Sequence, residues 1–289
     1  MTEKTETAQK VPAPPNGKCK GCGSELEYRW TENIWILKAV GLTVPSWVIM
    51  ECEVCEEKRV KERRREENER IRLSRMERIM TESYIPERLR EKTIEDFEVS
   101  PKNQKMKEAV ERSVEFVNDF DNVKGRGLIL MGKVGTGKGH LAAGICKKLI
   151  EREKSIYYCK VPMLFMAIKA TFGKDEDIDE VNKRRLAKLF GANEFDIVQN
   201  LCEYDLLWLD ELGVQSETKW EMQVLYSILD GRYEKMKSTL ITTNLKWTAI
   251  EGVLGDRIID RFFEDGGKAI TFDWESYRRK GREEKNDAK

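Results

Sequence analysis

The chain has 289 residues, and its 52 lysine and arginine residues balance 52 aspartate and glutamate residues, so its formal net charge is zero. Overall charge therefore argues neither for nor against a nucleic-acid partner, and any basic surface has to be local. No apolar run reaches the roughly 18 residues of a membrane span. The polar start of the chain, 1–18, lacks the apolar core of a signal peptide, which predicts a disordered tail and a cytoplasmic protein without a membrane partner.

Four cysteines near the N-terminus form two C-x-x-C pairs, Cys19 with Cys22 and Cys52 with Cys55. Two such pairs can complete a tetrahedral thiolate shell around Zn²⁺, and four protein ligands leave no open position for water. We predict a structural zinc site in a zinc-ribbon module over 19–60. A redox pair or unrelated free thiols are the alternatives. The apolar residues predicted to form its short strands are Tyr28, Trp30, Ile34, Trp35, Ile36, Val44, Trp47, Val48 and Ile49.

A charge-dense segment, 61–84, follows the second cysteine pair. Its acidic and basic residues lie three and four positions apart, which predicts a solvated linker helix. Apolar residues return near its end, at Ile79 and Met80, where the helix could dock. The alternative is an arm that contacts a partner or nucleic acid.

The remainder, 85–289, alternates strand-like and helical patterns. This alternation predicts an α/β domain with a five-stranded parallel sheet covered by helices on both faces. The predicted strands are 128–131, 156–160, 206–209, 239–243 and 269–272. The long connection 163–203 predicts two or three helices, which either decorate the fold or contact a partner or DNA. Three cysteines with apolar neighbours are expected in the core: Cys146, Cys159 and Cys202.

The first predicted strand leads into a glycine-rich loop with the pattern G-x-x-x-x-G-K, followed by a helical segment. Glycines let several backbone N–H groups converge on one anion, and the helix N-terminus adds partial positive charge there. The loop predicts a phosphate-binding site in which Lys138 reaches the β- and γ-phosphates of a nucleotide. A glycine-rich turn without a ligand is the alternative. The loop consists of Gly132, Lys133, Val134, Gly135, Thr136, Gly137, Lys138, Gly139 and His140.

Gly139 occupies the position at which this motif carries serine or threonine, so no hydroxyl is available there to bind Mg²⁺. We expect nucleotide binding to survive, because Mg²⁺ tolerates water in place of a protein ligand, and hydrolysis to be slow. His140 is the only histidine in the chain, and we expect it to cap or pack in the first turn of the helix.

A later predicted strand ends in two carboxylates, Asp210 and Glu211. Downstream of a phosphate loop, Asp210 is expected to hold Mg²⁺, directly or through water. Glu211 is expected to act as the general base toward the attacking water. Without the loop, the same pattern would equally fit a strand that leaves the core.

Six segments, taken together, resemble the DnaC-type bacterial helicase loaders and the related IstB transposition ATPases, which are both AAA+ proteins. The segments are IPERLR (85–90), GKVGTGKGH (132–140), LDELGVQSETKWE (209–221), LITTN (240–244), LGDRIIDRF (254–262) and FDWESYR (272–278). The four-cysteine segment is similar to the N-terminal modules of Gram-positive and phage loaders. The resemblance implies an AAA+ P-loop ATPase domain over 85–289.

The resemblance also implies roles for polar residues outside the two motifs. Asn244, at the end of the fourth predicted strand, is similar to the polar sensor that orients the attacking water. Arg257 resembles the arginine finger that serves the nucleotide of a neighbouring subunit, and Arg261, one helical turn later, would share that task. Arg278 is similar to the sensor-2 arginine near the γ-phosphate. Self-association through AAA+ interfaces follows from these assignments.

The function that the resemblance implies is ATP-dependent loading of a replicative hexameric DNA helicase, associated with a phage or prophage. In this interpretation the zinc module grips the helicase, the AAA+ face holds single-stranded DNA, and the cofactors are ATP, Mg²⁺ and Zn²⁺. One alternative is an IstB-like transposition ATPase that remodels target DNA. Another is a nucleotide-gated adaptor that binds ATP and barely hydrolyses it, which Gly139 supports.

Overall fold

The computed structural model describes residues 17–26, 28–31, 33–39, 41, 46–49, 52–172, 193–214, 218–264 and 266–277. Contacts divide the chain into two units, Met1–Leu73 and Ser74–Lys289. The boundary falls inside the predicted linker 61–84. Most of the predicted tail, 1–16, lies outside the described residues, whereas Lys18 forms an isolated antiparallel bridge with Glu25.

The first unit contains a two-stranded antiparallel sheet of β1 (Tyr28–Thr31) and β2 (Ser46–Ile49). Trp30 lies opposite Trp47, and the two rings meet edge to face with their centroids 5.8 Å apart. Strands of this composition agree with the predicted ribbon-like module.

The strand prediction for Ile34, Trp35 and Ile36 is wrong, because these residues form helix α1 (Ile34–Ala39). The Asn33 side chain accepts a hydrogen bond from the Trp35 N–H at 3.0 Å, which satisfies a backbone donor at the start of a helix. The Trp35 and Ile36 side chains are 78% and 45% exposed. A strand preference depends on packing against neighbours, and here the neighbours are missing among the described residues.

Helix α2 (Glu53–Glu82) has 30 residues, none of them buried, and it begins upstream of the predicted start at 61. Ion pairs three and four residues apart lie along it, including Arg70 with Glu67 at 2.9 Å. Within the second unit, its last turns place Met76, Ile79 and Met80 against the apolar core of that unit. The expected docking of the apolar end is therefore present.

The second unit is organised by a five-stranded parallel sheet with the order β4-β5-β6-β3-β7. All five predicted strands are present, each within three residues of its predicted bounds. They are β3 (Gly127–Gly132), β4 (Ile156–Lys160), β5 (Leu206–Leu212), β6 (Ser238–Thr243) and β7 (Lys268–Phe272).

Helices cover both faces of this sheet, since successive strand residues point to opposite sides. Leu128 and Leu130 of β3 join one apolar cluster, and Ile129 between them joins the other. The first cluster includes residues of α4 (Gln104–Asn118) and α5 (Lys138–Ile150), with the short α3 (Glu87–Arg90) beside it. The second includes α6 (Val161–Thr171), α7 (Glu194–Glu203), α8 (Lys219–Glu234), α9 (Trp247–Leu254) and α10 (Asp256–Glu264).

Two of these helices, α6 and α7, belong to the long connection 163–203, and its central part, 173–192, lies outside the described residues. Cys146, Cys159 and Cys202 are buried, as predicted. Across the described ranges, every helix is too short or too polar to cross a bilayer.

Parallel strands bring their carboxyl ends to one edge of the sheet, and this edge positions the candidate site. Gly132 ends β3, Lys160 ends β4, and Asp210 lies near the end of β5. Because β6 lies between β3 and β5, Asn244 at its end falls between the glycine loop and the carboxylates.

Candidate nucleotide site and cysteine cluster

The glycine loop adopts backbone angles that only glycine adopts easily. Gly132, Gly135 and Gly137 have φ values of 125°, 78° and 96°. A Cβ atom on Gly132 would lie 2.2 Å from the Phe272 carbonyl oxygen, and one on Gly137 would lie 2.5 Å from the Phe97 ring. Both the curvature and the close approach of the loop therefore require the two glycines of the motif.

The segment after β7 braces the loop from outside. The Trp274 indole N–H donates to the Thr136 carbonyl at 2.9 Å, and the Tyr277 backbone N–H donates to the Gly135 carbonyl at 3.0 Å. The backbone N–H of Lys133 donates to the Phe272 carbonyl at 3.0 Å. The motif gives no sign of this support, which comes from more than 130 residues away along the chain.

Lys138 begins α5, and its ammonium group donates to three oxygens of the loop and of β6. The acceptors are the Gly132 carbonyl at 2.8 Å, the Lys133 carbonyl at 2.7 Å and the Asn244 side-chain oxygen at 2.9 Å. We expected a solvent-facing lysine, and this was wrong, since Lys138 is only 9% exposed. The structure thus brings together Lys138 and Asn244, two residues predicted to serve the same phosphate.

Both oxygens of the Asp210 carboxylate accept hydrogen bonds from hydroxyl groups on the neighbouring strands. The Tyr158 hydroxyl donates to Oδ2 at 3.0 Å, and the Thr242 hydroxyl donates to Oδ1 at 2.5 Å. Thr242 in turn accepts the indole N–H of Trp208 at 2.8 Å. Sequence reasoning missed these three supporting residues, because only the strand order places them beside Asp210.

Glu211 follows Asp210 at an irregularity of β5, where pairing with β6 shifts between Asp210 and Leu212. Its φ of 60° is unusual for a residue with a side chain. The shift lets Asp210 and Glu211 both reach the carboxyl edge instead of opposite faces of the sheet. The Glu211 carboxylate accepts a hydrogen bond from the Lys160 ammonium at 2.7 Å.

Asp210, Glu211, Asn244 and Lys138 line a pocket of about 580 Å³ together with Gly139 and His140. This volume suits a small-molecule ligand. The opposite wall comes from the segment before α4, and includes Arg88, Leu89, Lys92 and Phe97.

His140 joins the loop to that wall. Its Nε2–H donates to the Thr93 carbonyl at 2.9 Å, and its ring meets Phe97 edge to face with centroids 5.5 Å apart. Burial lowers the pKa of His140 below its usual value, which favours the neutral ring. The expected packing role of His140 agrees with these contacts.

The predicted arginines are placed differently from the loop residues. Arg257 is exposed near the start of α10, with its guanidinium 5.8 Å from the Tyr226 ring centroid. Arg261 pairs with Asp230 of its own chain and lies over the Tyr233 ring at 4.6 Å. Neither contributes to the lining of the pocket in the described part of the chain. Arg278 lies outside the described residues.

In the first unit, the thiols of Cys19, Cys22, Cys52 and Cys55 lie within 4.8 Å of one another. The Sγ atoms of Cys19 and Cys55 are 3.6 Å apart, and those of Cys22 and Cys52 are 3.2 Å apart. A tetrahedral shell with Zn–S bonds of about 2.3 Å would separate its sulfurs by about 3.8 Å. The cluster therefore fits Zn²⁺, and the two predicted pairs do converge.

The thiols also influence each other electrostatically. A hydrogen bond with the Ser24 hydroxyl lowers the pKa of Cys22 to about 6. Interactions with the Cys22 and Cys19 sulfurs raise the pKa of Cys55 to about 12. Thiolates this close repel one another, so a bound cation is needed for all four to ionise together.

The parallel sheet, the glycine loop at its carboxyl edge and the carboxylates on β5 define a P-loop nucleotide-binding protein with the AAA+ fold. The sequence profile of the family described as IstB-like ATP binding protein matches residues 49–285. The chain belongs to this family, which is homologous to the DnaC helicase loaders.

Individual relatives agree with this assignment. The chain is 30% identical over 249 residues to the uncharacterized protein YdaV of Escherichia coli strain K12, which covers 86% of this chain and 92% of that protein. It is 32% identical over 205 residues to the replicative helicase loader DnaC of Buchnera aphidicola subsp. Baizongia pistaciae, covering 71% and 76%. A crystal structure of the DnaC helicase loader superposes with a TM-score of 0.52 at 21% identity, over 65% of this chain and 99% of that one, and supports the fold alone.

Proposed function

We propose that the protein is an ATP-dependent loader of a replicative hexameric DNA helicase onto single-stranded DNA. The observation that carries this proposal is the convergence of Lys138, Asn244 and Asp210 on one pocket, in a chain homologous to proteins named as replicative helicase loaders. The pocket supplies nucleotide binding, and the relatives supply the class of partner.

The chemistry at the pocket follows from the charges around it. Lys138 would exchange its carbonyl partners for the β- and γ-phosphate oxygens, and the loop N–H groups would hold the remaining phosphate charge. Asp210 would hold Mg²⁺, which, when bound, neutralises charge that develops on the phosphates. Gly139 provides no side-chain ligand, so the fit for Mg²⁺ rests on Asp210.

Hydrolysis would then need an oriented water. Glu211 would accept a proton from this water, after its carboxylate leaves Lys160, and Asn244 would orient the water near the γ-phosphate. We assign the arginine finger to Arg257, because it is exposed, whereas Arg261 is engaged by Asp230 in its own chain. Arg278 is proposed as the sensor-2 arginine.

ATP binding would order a loader oligomer through Arg257 of each subunit reaching the next nucleotide. The four-cysteine module would grip the helicase, the AAA+ face would hold single-stranded DNA, and hydrolysis would release the loader. Slow turnover suits such a switch, since the ATP-bound state has to last until the helicase is loaded.

The decisive experiment is a pull-down of the purified protein, with ATP and Mg²⁺, against a hexameric replicative helicase and against a transposase encoded by the same genome. Nucleotide-dependent capture of the helicase is expected, and the Lys138→Ala variant should lose that dependence. Capture of the transposase alone would favour a transposition ATPase, a rival that the family match supports. Helicase capture without measurable ATP turnover would favour a nucleotide-gated adaptor, which Gly139 supports.

A further inference from the structure

We propose that Tyr158 and Thr242 are positioning residues that aim the Asp210 carboxylate at the Mg²⁺ accompanying a bound nucleotide. Their hydroxyl groups would do so without touching the ion themselves. Because Mg²⁺ enters this pocket only with a nucleotide, this role rests on the proposed function.

Strand order puts the three side chains in one row. In the sheet, β5 lies between β4 and β6, with Tyr158 paired to Trp208 and Asp210 paired to Thr242. Hydroxyl groups thus approach the Asp210 carboxylate from both sides, and each oxygen accepts one of them. A carboxylate held at both oxygens cannot rotate freely, and its remaining lone pairs face the pocket that Asp210 lines.

The hydrogen bonds to Asp210 have a defined direction. The Trp208 indole N–H can only donate, so the Thr242 oxygen accepts from it and the Thr242 proton is left for Asp210. Trp208 is fully buried, and Thr242 and Tyr158 are 2% and 7% exposed, so water does not compete for these bonds. Burial, reinforced by the charge of Asp210, raises the pKa of Tyr158, which keeps its phenol protonated as a donor.

Gly139 explains why such support matters in this chain. The loop has no hydroxyl to share the ion, so the placement of Mg²⁺ depends on Asp210 more heavily than in a loop with serine or threonine. Groups that orient a metal ligand without binding the metal typically change metal affinity by about 10–100-fold when removed.

The test measures binding of a slowly hydrolysed ATP analogue to the full-length protein, in excess Mg²⁺ and in EDTA. In Tyr158→Phe and in Thr242→Val, the ratio of the two affinities should fall by about 10-fold, while the affinity in EDTA stays at the wild-type value. Tyr158→Phe keeps the ring that packs on Trp208 at 4.7 Å, and Thr242→Ser keeps the hydroxyl and should restore the wild-type ratio.

Tyr157→Phe is the matched control, because it removes a phenol from the neighbouring residue of β4, which belongs to the apolar cluster on the other face of the sheet. If Tyr158→Phe and Thr242→Val change the ratio no more than Tyr157→Phe does, the positioning role is wrong. Equal losses with Mg²⁺ and with EDTA would also overturn it, since they indicate general support of the pocket. A wild-type protein that binds no nucleotide would overturn the proposed function as well. Should Thr242→Val fail to fold, Tyr158→Phe alone decides.

Discussion

The two units of the chain are stabilised by different means. In the second unit, apolar side chains fill both faces of the sheet, and Leu128, Ile129 and Trp208 are almost fully buried. In the described part of the first unit, the buried residues are Thr31 and Cys52, and the principal apolar contact is the pair of Trp30 and Trp47. Four converging thiols take the place of a core there.

This difference follows from size. A large domain buries most of the surface of its chain, whereas a segment of a few tens of residues buries too little apolar area to offset the entropy of folding. A structural metal can supply the missing free energy, because the ligands come together only in the folded state. We therefore expect the two units to respond to different perturbations.

The largest effect is expected from removing the metal. Structural zinc contributes apparent binding free energies of about 10–16 kcal/mol in small modules, so Cys52→Ser or strong chelation should unfold the first unit and leave the second unit folded. Metal analysis should give one zinc per chain in the wild type and none in the variant. Cys146→Ala, which removes a core thiol of the second unit, should keep the zinc. Wild-type protein that is folded and metal-free without chelator would contradict the prediction.

A second test removes the central charge of the pocket and keeps the core of the second unit. Lys138→Ala should abolish ATP binding, measured by calorimetry, because no other described lysine reaches the loop carbonyls and Asn244. Three acceptors would lose their donor, so a loss of about 1–3 kcal/mol in the free energy of unfolding is expected as well.

Lys154→Ala is the control for this experiment, since Lys154 pairs with Asp121 away from the pocket lining. Wild-type nucleotide affinity in Lys138→Ala would show that the loop is not the site.

The third test separates assembly from folding. Arg257→Ala should bind ATP normally and melt like the wild type, because the residue is exposed, but it should lose ATP-dependent assembly or hydrolysis. Arg261→Ala should instead lower the melting temperature, because it leaves Asp230 without its partner. Mixing Arg257→Ala with Lys138→Ala should restore some hydrolysis, as one hybrid interface has both intact halves. If no mixing ratio gives rescue, action between subunits is wrong.

The smallest effect is expected at Gly139. A Cβ atom there would lie 3.9 Å from the nearest atom, in Leu89, so Gly139→Thr should fold without strain and should raise basal ATP hydrolysis by adding a hydroxyl for Mg²⁺. Glu211→Gln in the same background should remove hydrolysis and retain binding. A wild-type rate already within about 1–1000 per second, unchanged by Gly139→Thr, would contradict this account.

Local patterns were sufficient where the chemistry is local. The phosphate loop, the cysteine pairs and the five strands are each encoded within a few residues, through glycine conformation, thiolate spacing and apolar runs. A short segment can mislead when its neighbours are absent, as at Trp35, where polar capping by Asn33 gives a helix in a stretch of strand-forming residues.

The amino-acid sequence by itself determined the class of the fold, the anion-binding loop and the candidate metal ligands, because those depend on spacing along the chain. Only the tertiary structure decided the burial of Lys138, the link between Lys160 and Glu211, and the two hydroxyl groups that hold Asp210. These contacts join residues more than 30 positions apart, and they depend on which strands lie side by side. Strand order results from packing the helices on both faces of the sheet, and no local pattern specifies it.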